Sequence, residues 1–266
     1  MNASGSVARR VTKTVFITGA SSGIGRALAV ELARRGNDLF LTARRVEALE
    51  AVRAEIVAAH PERVVEVREL DVTDDADVPR ALEEAADRLG RVDVVIANAG
   101  LGNSGRVGAG NVARARRIIE TNLIGAIATI DAAVALFRRQ GGGQVVGITS
   151  VAGARGLPGS SSYSASKAGL GVYLEAVRAE TYGEAITVTT ISPGYIDTPI
   201  NQDVKSRPFL IDVDQGARTI ADLIEKRIRY ATVPRMPWTV LSPLMRIAPT
   251  SVLVRGTPSR EAPPGQ

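Results

Sequence analysis

The stretch Thr14-Val15-Phe16-Ile17-Thr18-Gly19-Ala20-Ser21-Ser22-Gly23-Ile24-Gly25 decides the fold. Thr14 to Thr18 has the composition of a buried strand, and Ile24, Leu28 and Leu32, with Ala27 beside them, form one face of a helix after it. Gly36 stands where a helix-ending glycine belongs. Between strand and helix, Gly19 permits a tight turn, Gly23 lets the backbone approach a pyrophosphate, and Gly25 lets the helix pack closely on the strand. Ser21, Ser22 and Ile24 complete a loop whose helix-start amides face an anion. The spacing is G-x-x-x-G-x-G rather than G-x-G-x-x-G, and alone such a turn also has a purely structural reading. The strand, turn and helix context makes it a nucleotide-binding loop.

Outward from this loop, short β-branched runs alternate with longer amphipathic stretches. Strands are expected at residues 39–41, 64–70, 92–96, 144–149, 186–191 and 230–233. Helices are expected at 46–59, at 73–89 with Thr73 as its cap, at 112–139, at 163–182 and at 217–227. Strands separated by helices of this length imply parallel pairing through right-handed crossovers. The expected class is α/β: a doubly wound, mostly parallel sheet with helices on both faces, in one domain over residues 1–258. A polar, Pro-rich tail at 259–266 is expected to be disordered.

Composition excludes several chemistries. The 266 residues contain no Cys and one His, so disulfides, thiolate metal sites and a Cys nucleophile are ruled out, and a His-based metal site is not expected. His60, beside Pro61 in a polar stretch, reads as a solvated helix end rather than a triad member. The net charge is +5, but the basic residues are spread among acidic ones, so nucleic acid is not an expected partner. No run reaches the ~18 apolar residues of a spanning helix, and Val15-Phe16-Ile17 is too short for a signal-peptide core. A cytoplasmic location is expected. The chemistry therefore falls to hydroxyls, amides, Lys, Arg and carboxylates working with an organic cofactor.

Two further stretches say which cofactor and which reaction. Thr42-Ala43-Arg44-Arg45, at the end of the second strand, lacks the acid that accepts ribose hydroxyls in NAD sites and offers two guanidinium groups suited to a 2′-phosphate. NADP(H) is expected over NAD(H), the plainer alternative being that Arg44 and Arg45 merely open a surface helix. Ser150 ends the fifth strand at the carboxyl edge of the sheet, and Tyr163-Ser164-Ala165-Ser166-Lys167 opens a helix. Tyr163 and Lys167 stand at i and i+4, so phenol and ammonium share one face. A nearby cation stabilises phenolate, lowering a pKa that is otherwise about 10, and Ser150 supplies a donor for a developing oxyanion.

These residues together resemble the short-chain dehydrogenase/reductase family in its shorter single-domain form, over about residues 13–235. Asp71-Val72, Asn98-Ala99-Gly100, Asn122, Pro193-Gly194 and Asp197-Thr198 extend the resemblance. It implies that Tyr163 is the general acid/base and that Ser150 orients the carbonyl. Lys167 binds ribose hydroxyls and lowers the Tyr pKa, and Asn122 holds a water of a proton relay. It also implies that Asp71 and Val72 border the adenine, that Asn98 steadies the central sheet, and that Ala99 and Gly100 pass close to the cofactor. Pro193, Gly194, Ile196 and Thr198 then contact the nicotinamide end. The expected activity is NADP(H)-dependent interconversion of a ketone and a secondary alcohol. The rival is a dinucleotide-binding sensor or scaffold without catalysis. The family also implies a homodimer or homotetramer.

The substrate pocket is expected from loops 101–106, 151–162 and the segment after Pro193, with 195–212 as a mobile lid. Arg155 is a candidate for an acidic substrate or a plain surface residue. Residues 236–258 extend beyond the resemblance and carry Trp238, Val240, Leu241, Leu244, Met245, Ile247, Val252 and Leu253. Three roles compete for them: a lid over the pocket or a neighbouring subunit, an ordinary packed helix, and an interfacial membrane anchor. A lid of this character favours a lipophilic substrate.

Overall fold

The computed structural model describes residues 12–102, 105–202, 204 and 206–252. Among them, β1 (Thr14–Thr18), β2 (Asp38–Ala43), β3 (Val65–Glu69), β4 (Val94–Ala97), β5 (Gly143–Ile148), β6 (Ile186–Pro193) and β7 (Tyr230–Val233) form one sheet in the order β3-β2-β1-β4-β5-β6-β7. Each neighbouring pair is parallel. The helices are α1 (Gly23–Arg34), α2 (Val46–Ala59), α3 (Asp77–Leu89), α4 (Val112–Ile119), α5 (Gly125–Gln140), α6 (Ser161–Glu180), α7 (Val213–Glu225) and α8 (Trp238–Ile247).

Both faces of the sheet are covered, which is why its strands read as continuous apolar runs. Alternation along β1 sends Val15 and Ile17 to one face, where they meet Leu28 and Leu32 of α1, Leu49 of α2 and Ile220 of α7. Phe16 goes to the other face, stacked on Phe40 at 5.6 Å between ring centres, among Leu82 of α3, Ile130 and Phe137 of α5 and Leu174 of α6. Strand order reverses between β1 and β4, and ligands of open α/β sheets bind outside the carboxyl ends at such a point.

Three local expectations are corrected. The helix expected from Thr73 begins at Asp77, because Asp71 Oδ1 accepts both the amide (3.0 Å) and the hydroxyl (2.8 Å) of Thr73, closing a turn that competes with helix. The last crossover helix starts at Val213 rather than 217, capped by Asp212, whose Oδ1 accepts from the amides of Asp214 and Gln215. The continuous helix expected at 112–139 is interrupted by a π turn at Glu120–Ile124. Val112–Gln140 is long and apolar enough to cross a membrane by length and composition, yet Ile130, Ala133 and Phe137 of this stretch are buried in the core. His60 ends α2, as expected. The tail at 259–266 lies outside the described residues.

Candidate active site

The nucleotide end is built by β1, α1 and the exit of β4. Gly19 has φ +69°, and a Cβ there would stand 2.8 Å from Ala99 Cα, so the turn lies directly against the strand exit. At Gly25 a Cβ would stand 2.3 Å from the Gly19 carbonyl oxygen and 2.5 Å from Asn98 Nδ2. Asn98 Nδ2 donates to the carbonyls of Thr18 (2.9 Å) and Gly19 (3.2 Å), while the amides of Asn98 and Ala99 donate to Thr18 Oγ1. The carboxyl ends of β1 and β4 are thereby tied together. Ser22 caps α1 with extended backbone but makes no side-chain cap among the described residues, and the first turn carries no acid. The starting amides of α1 are thus left available for an anion.

Arg44 and Arg45 stand at the same end of the cleft. Arg44 Nη1 lies 4.0 Å from Asp71 Oδ2, both side chains exposed, and Arg45 Nη2 donates to Ser21 Oγ at 3.3 Å. A dinucleotide fits this donor set: unclaimed helix amides, backbone close enough to exclude side chains at Gly19 and Gly25, and guanidinium groups where β2 offers no acid. Among the described residues no cluster of His, Cys, Asp and Glu suits a metal.

The other end gathers groups from β5, α6 and the π turn. Ser150 Oγ accepts from the Ala152 amide at 3.1 Å and donates to the Pro193 carbonyl at 3.4 Å. On α6, Lys167 is buried and its Nζ donates to the Ile148 carbonyl at 2.8 Å. Burial pushes its pKa down to about 8. Tyr163 lines the same cleft one turn earlier on that helix. Fully buried Asn122 accepts from the Leu101 amide (2.7 Å) and donates to the Leu101 carbonyl (2.9 Å) and Ser166 Oγ (3.2 Å). A Cβ on Gly100 would meet Asn122 Oδ1 at 3.3 Å and Lys167 Nζ at 3.6 Å, so amide and ammonium converge around this glycine.

A cleft of about 380 Å³ joins the two ends. Every expected site residue lines it except Asn122, which stands behind it holding Leu101, and Ile196. Ile196 does not line the cleft with its side chain, which enters the core, where a Cβ on Gly216 would stand 2.9 Å from it. The three expected loops supply Leu101, Leu157 and Ile200. Sequence reasoning had not singled out Thr121, whereas Tyr195 falls in the expected segment after Pro193 and Met245 in the extension for which a lid over the pocket was one expected role. Within the segment expected as a lid, a bridge joins Ile196 to Ile211 and Arg207 Nη1 meets Asp197 Oδ1 at 2.5 Å. Arg155 meets neither an acid nor bulk water alone: its Nη1 donates to the Arg246 carbonyl at 2.5 Å.

The model of the short chain dehydrogenase family matches residues 13–208, and the chain belongs to this family. An uncharacterised oxidoreductase of Mycobacterium tuberculosis is 39% identical over 236 residues, covering 88% of this chain and 93% of the relative. The crystal structure of levodione reductase superposes with a TM-score of 0.76 at 29% identity, over 84% of this chain and 95% of that one. An alcohol dehydrogenase of the archaeon Thermococcus sibiricus, solved with 5-hydroxy-NADP, gives a TM-score of 0.75 at 30% identity over the same shares. The chain is an oxidoreductase of CH–OH and C=O groups that uses a nicotinamide dinucleotide. That sets aside the non-catalytic scaffold.

Proposed function

We propose that the chain is an NADP(H)-dependent enzyme interconverting a ketone and a secondary alcohol in a lipophilic substrate, with Tyr163 as general acid/base. The observation that carries this is the buried Lys167 ammonium, one turn from Tyr163 and in one cleft with Ser150. When bound, the nicotinamide supplies or accepts the hydride. Tyr163 passes the proton to or from the carbinol oxygen, and the Lys167 cation favours its phenolate. Ser150 Oγ donates to the carbonyl oxygen as charge grows there; its present bond to Pro193 is long and readily exchanged. Asn122 anchors the chain at Leu101, its side-chain amide being taken up by Leu101 and Ser166.

Preference for NADP(H) is supported by Arg44 and Arg45 beside the phosphate loop and by the 5-hydroxy-NADP in the Thermococcus relative. A lipophilic substrate is supported by Leu157, Ile200, Trp238 and Met245 in the cleft wall. We place the enzyme in the cytoplasm as a homodimer or homotetramer, with exposed Val172 on α6 as part of the contact. The test is NADPH consumption across ketones graded in size and polarity, with wild type and Tyr163→Phe. The variant is expected to fold and lose about 10²–10⁴ in rate; retention of most of the rate refutes the proposal.

A further inference from the structure

Trp238 is the chain's sole tryptophan and lies on α8, beyond the family match. It is 6% exposed and lines the cleft. The pyrrole edge of its indole rests on Gly194: a Cβ there would stand 2.2 Å from Nε1 and 2.7 Å from Cε2. Phe209 packs against the ring at right angles with centres 5.7 Å apart, and Tyr195 at 6.5 Å with a tilt of 57°. Nε1 is buried without a hydrogen-bond partner among the described residues, as is Ser242 Oγ one turn further along the inward face of α8.

A buried donor left unpaired bears its desolvation penalty in full. Phenylalanine offers much of the same ring without that cost, so packing alone does not account for an indole here. Nor is the residue on a loose tail. Thr239 Oγ1 donates to the Arg235 carbonyl at 2.7 Å and lies 3.0 Å from Thr232 Oγ1 at the end of β7. Near the other end of α8, Arg155, from the loop that follows Ser150, donates to the Arg246 carbonyl. The helix is pinned across the cleft at both ends, and it presents Trp238 and Met245 to the interior.

We propose that Trp238 is a specificity residue: its ring seats an apolar part of the substrate, and its N–H donates to a second, non-reacting oxygen of that substrate. This rests on the carbonyl–alcohol reading of the cleft. The substrate class is an apolar ketone or secondary alcohol carrying a further carbonyl, ether or hydroxyl oxygen. The bond forms as the incoming molecule tilts the indole edge off the Gly194 backbone that covers it.

The test uses ketones paired by shape, one of each pair bearing the extra oxygen: cyclohexanone with tetrahydropyran-4-one and with cyclohexane-1,4-dione. Wild type is expected to favour the oxygenated partner in kcat/KM by about tenfold, equivalent to about 1.4 kcal/mol. Trp238→Phe, which keeps a ring and removes the donor, brings the ratio near one, and Trp238→Ala raises KM for both partners. A Trp238→Phe enzyme with the wild-type ratio overturns the proposal. So does one whose defect lies in NADPH affinity, because the donor then serves the cofactor. Calorimetric Kd ratios for the same pairs on the NADP⁺-loaded protein repeat the comparison without turnover. A protein that binds the pairs with the expected ratio but reduces none refutes the carbonyl chemistry and keeps the role of Trp238.

Discussion

Lys167→Met probes the buried charge on which the proton chemistry rests. In the folded chain Lys167 is 5% exposed and its ammonium donates to the Ile148 carbonyl, and burial takes its pKa from 10.5 to about 8. That gap places a penalty of about 3 kcal/mol on the charged native state relative to the unfolded chain. The native state releases this proton before the unfolded chain does. Stability from this site therefore rises as pH passes about 8 and stops rising near 10.5, with a gain of about 2 kcal/mol between pH 7 and pH 9.5. Removing the amine relieves the penalty but orphans the Ile148 carbonyl, at a cost of about 1–3 kcal/mol. At pH 7 the variant should be as stable as wild type or up to about 2 kcal/mol more so, while its activity collapses. Urea unfolding of both cofactor-free proteins at pH 7 and pH 9.5 measures this, and other titrating groups cancel between them. The stability difference should move toward wild type by about 2 kcal/mol at the higher pH. A movement below about 0.5 kcal/mol means that the ammonium is not desolvated, and the reasoning fails.

Arg44→Ala should weaken NADPH binding about tenfold, a figure reduced for the exposure of the guanidinium, and leave NADH binding unchanged; equal wild-type affinities by fluorescence titration would refute the 2′-phosphate role. Gly25→Ala drives a methyl into the Gly19 carbonyl and should cost about 1–3 kcal/mol in chemical denaturation, with weaker dinucleotide binding. The outward stripe Val240, Leu244 and Ile247 on α8 is checked by liposome flotation with and without residues 236–266. Neither form should float, and flotation of the full chain alone would establish an anchor.

The first crossover was legible because its signals are local: a strand, glycines where the turn demands them and an apolar stripe lie within two dozen residues. Spacing also revealed Tyr163 and Lys167, since four residues make one helical turn. The π turn at Glu120–Ile124 left no such trace, because its buried residue, Asn122, reads in sequence only as a polar break in a helical stretch. The signal for the start of α7 was present in Asp212 and went unused, whereas Thr73 looks like a cap until Asp71 is seen to claim it.

The sequence by itself determined the alternation of strands and helices, the phosphate loop, the charge at the end of β2 and the identity of the groups available for proton transfer. Each is a property of a residue and its near neighbours. Tertiary structure alone decided that Asn122 is spent on Leu101, that Ile196 turns into the space left by Gly216, and that Lys167 is dehydrated enough to titrate near 8. It also set Trp238 against Gly194, 44 residues earlier in the chain. Desolvation and close packing are made by chain segments far apart in sequence, and they exist only once the sheet has brought those segments together.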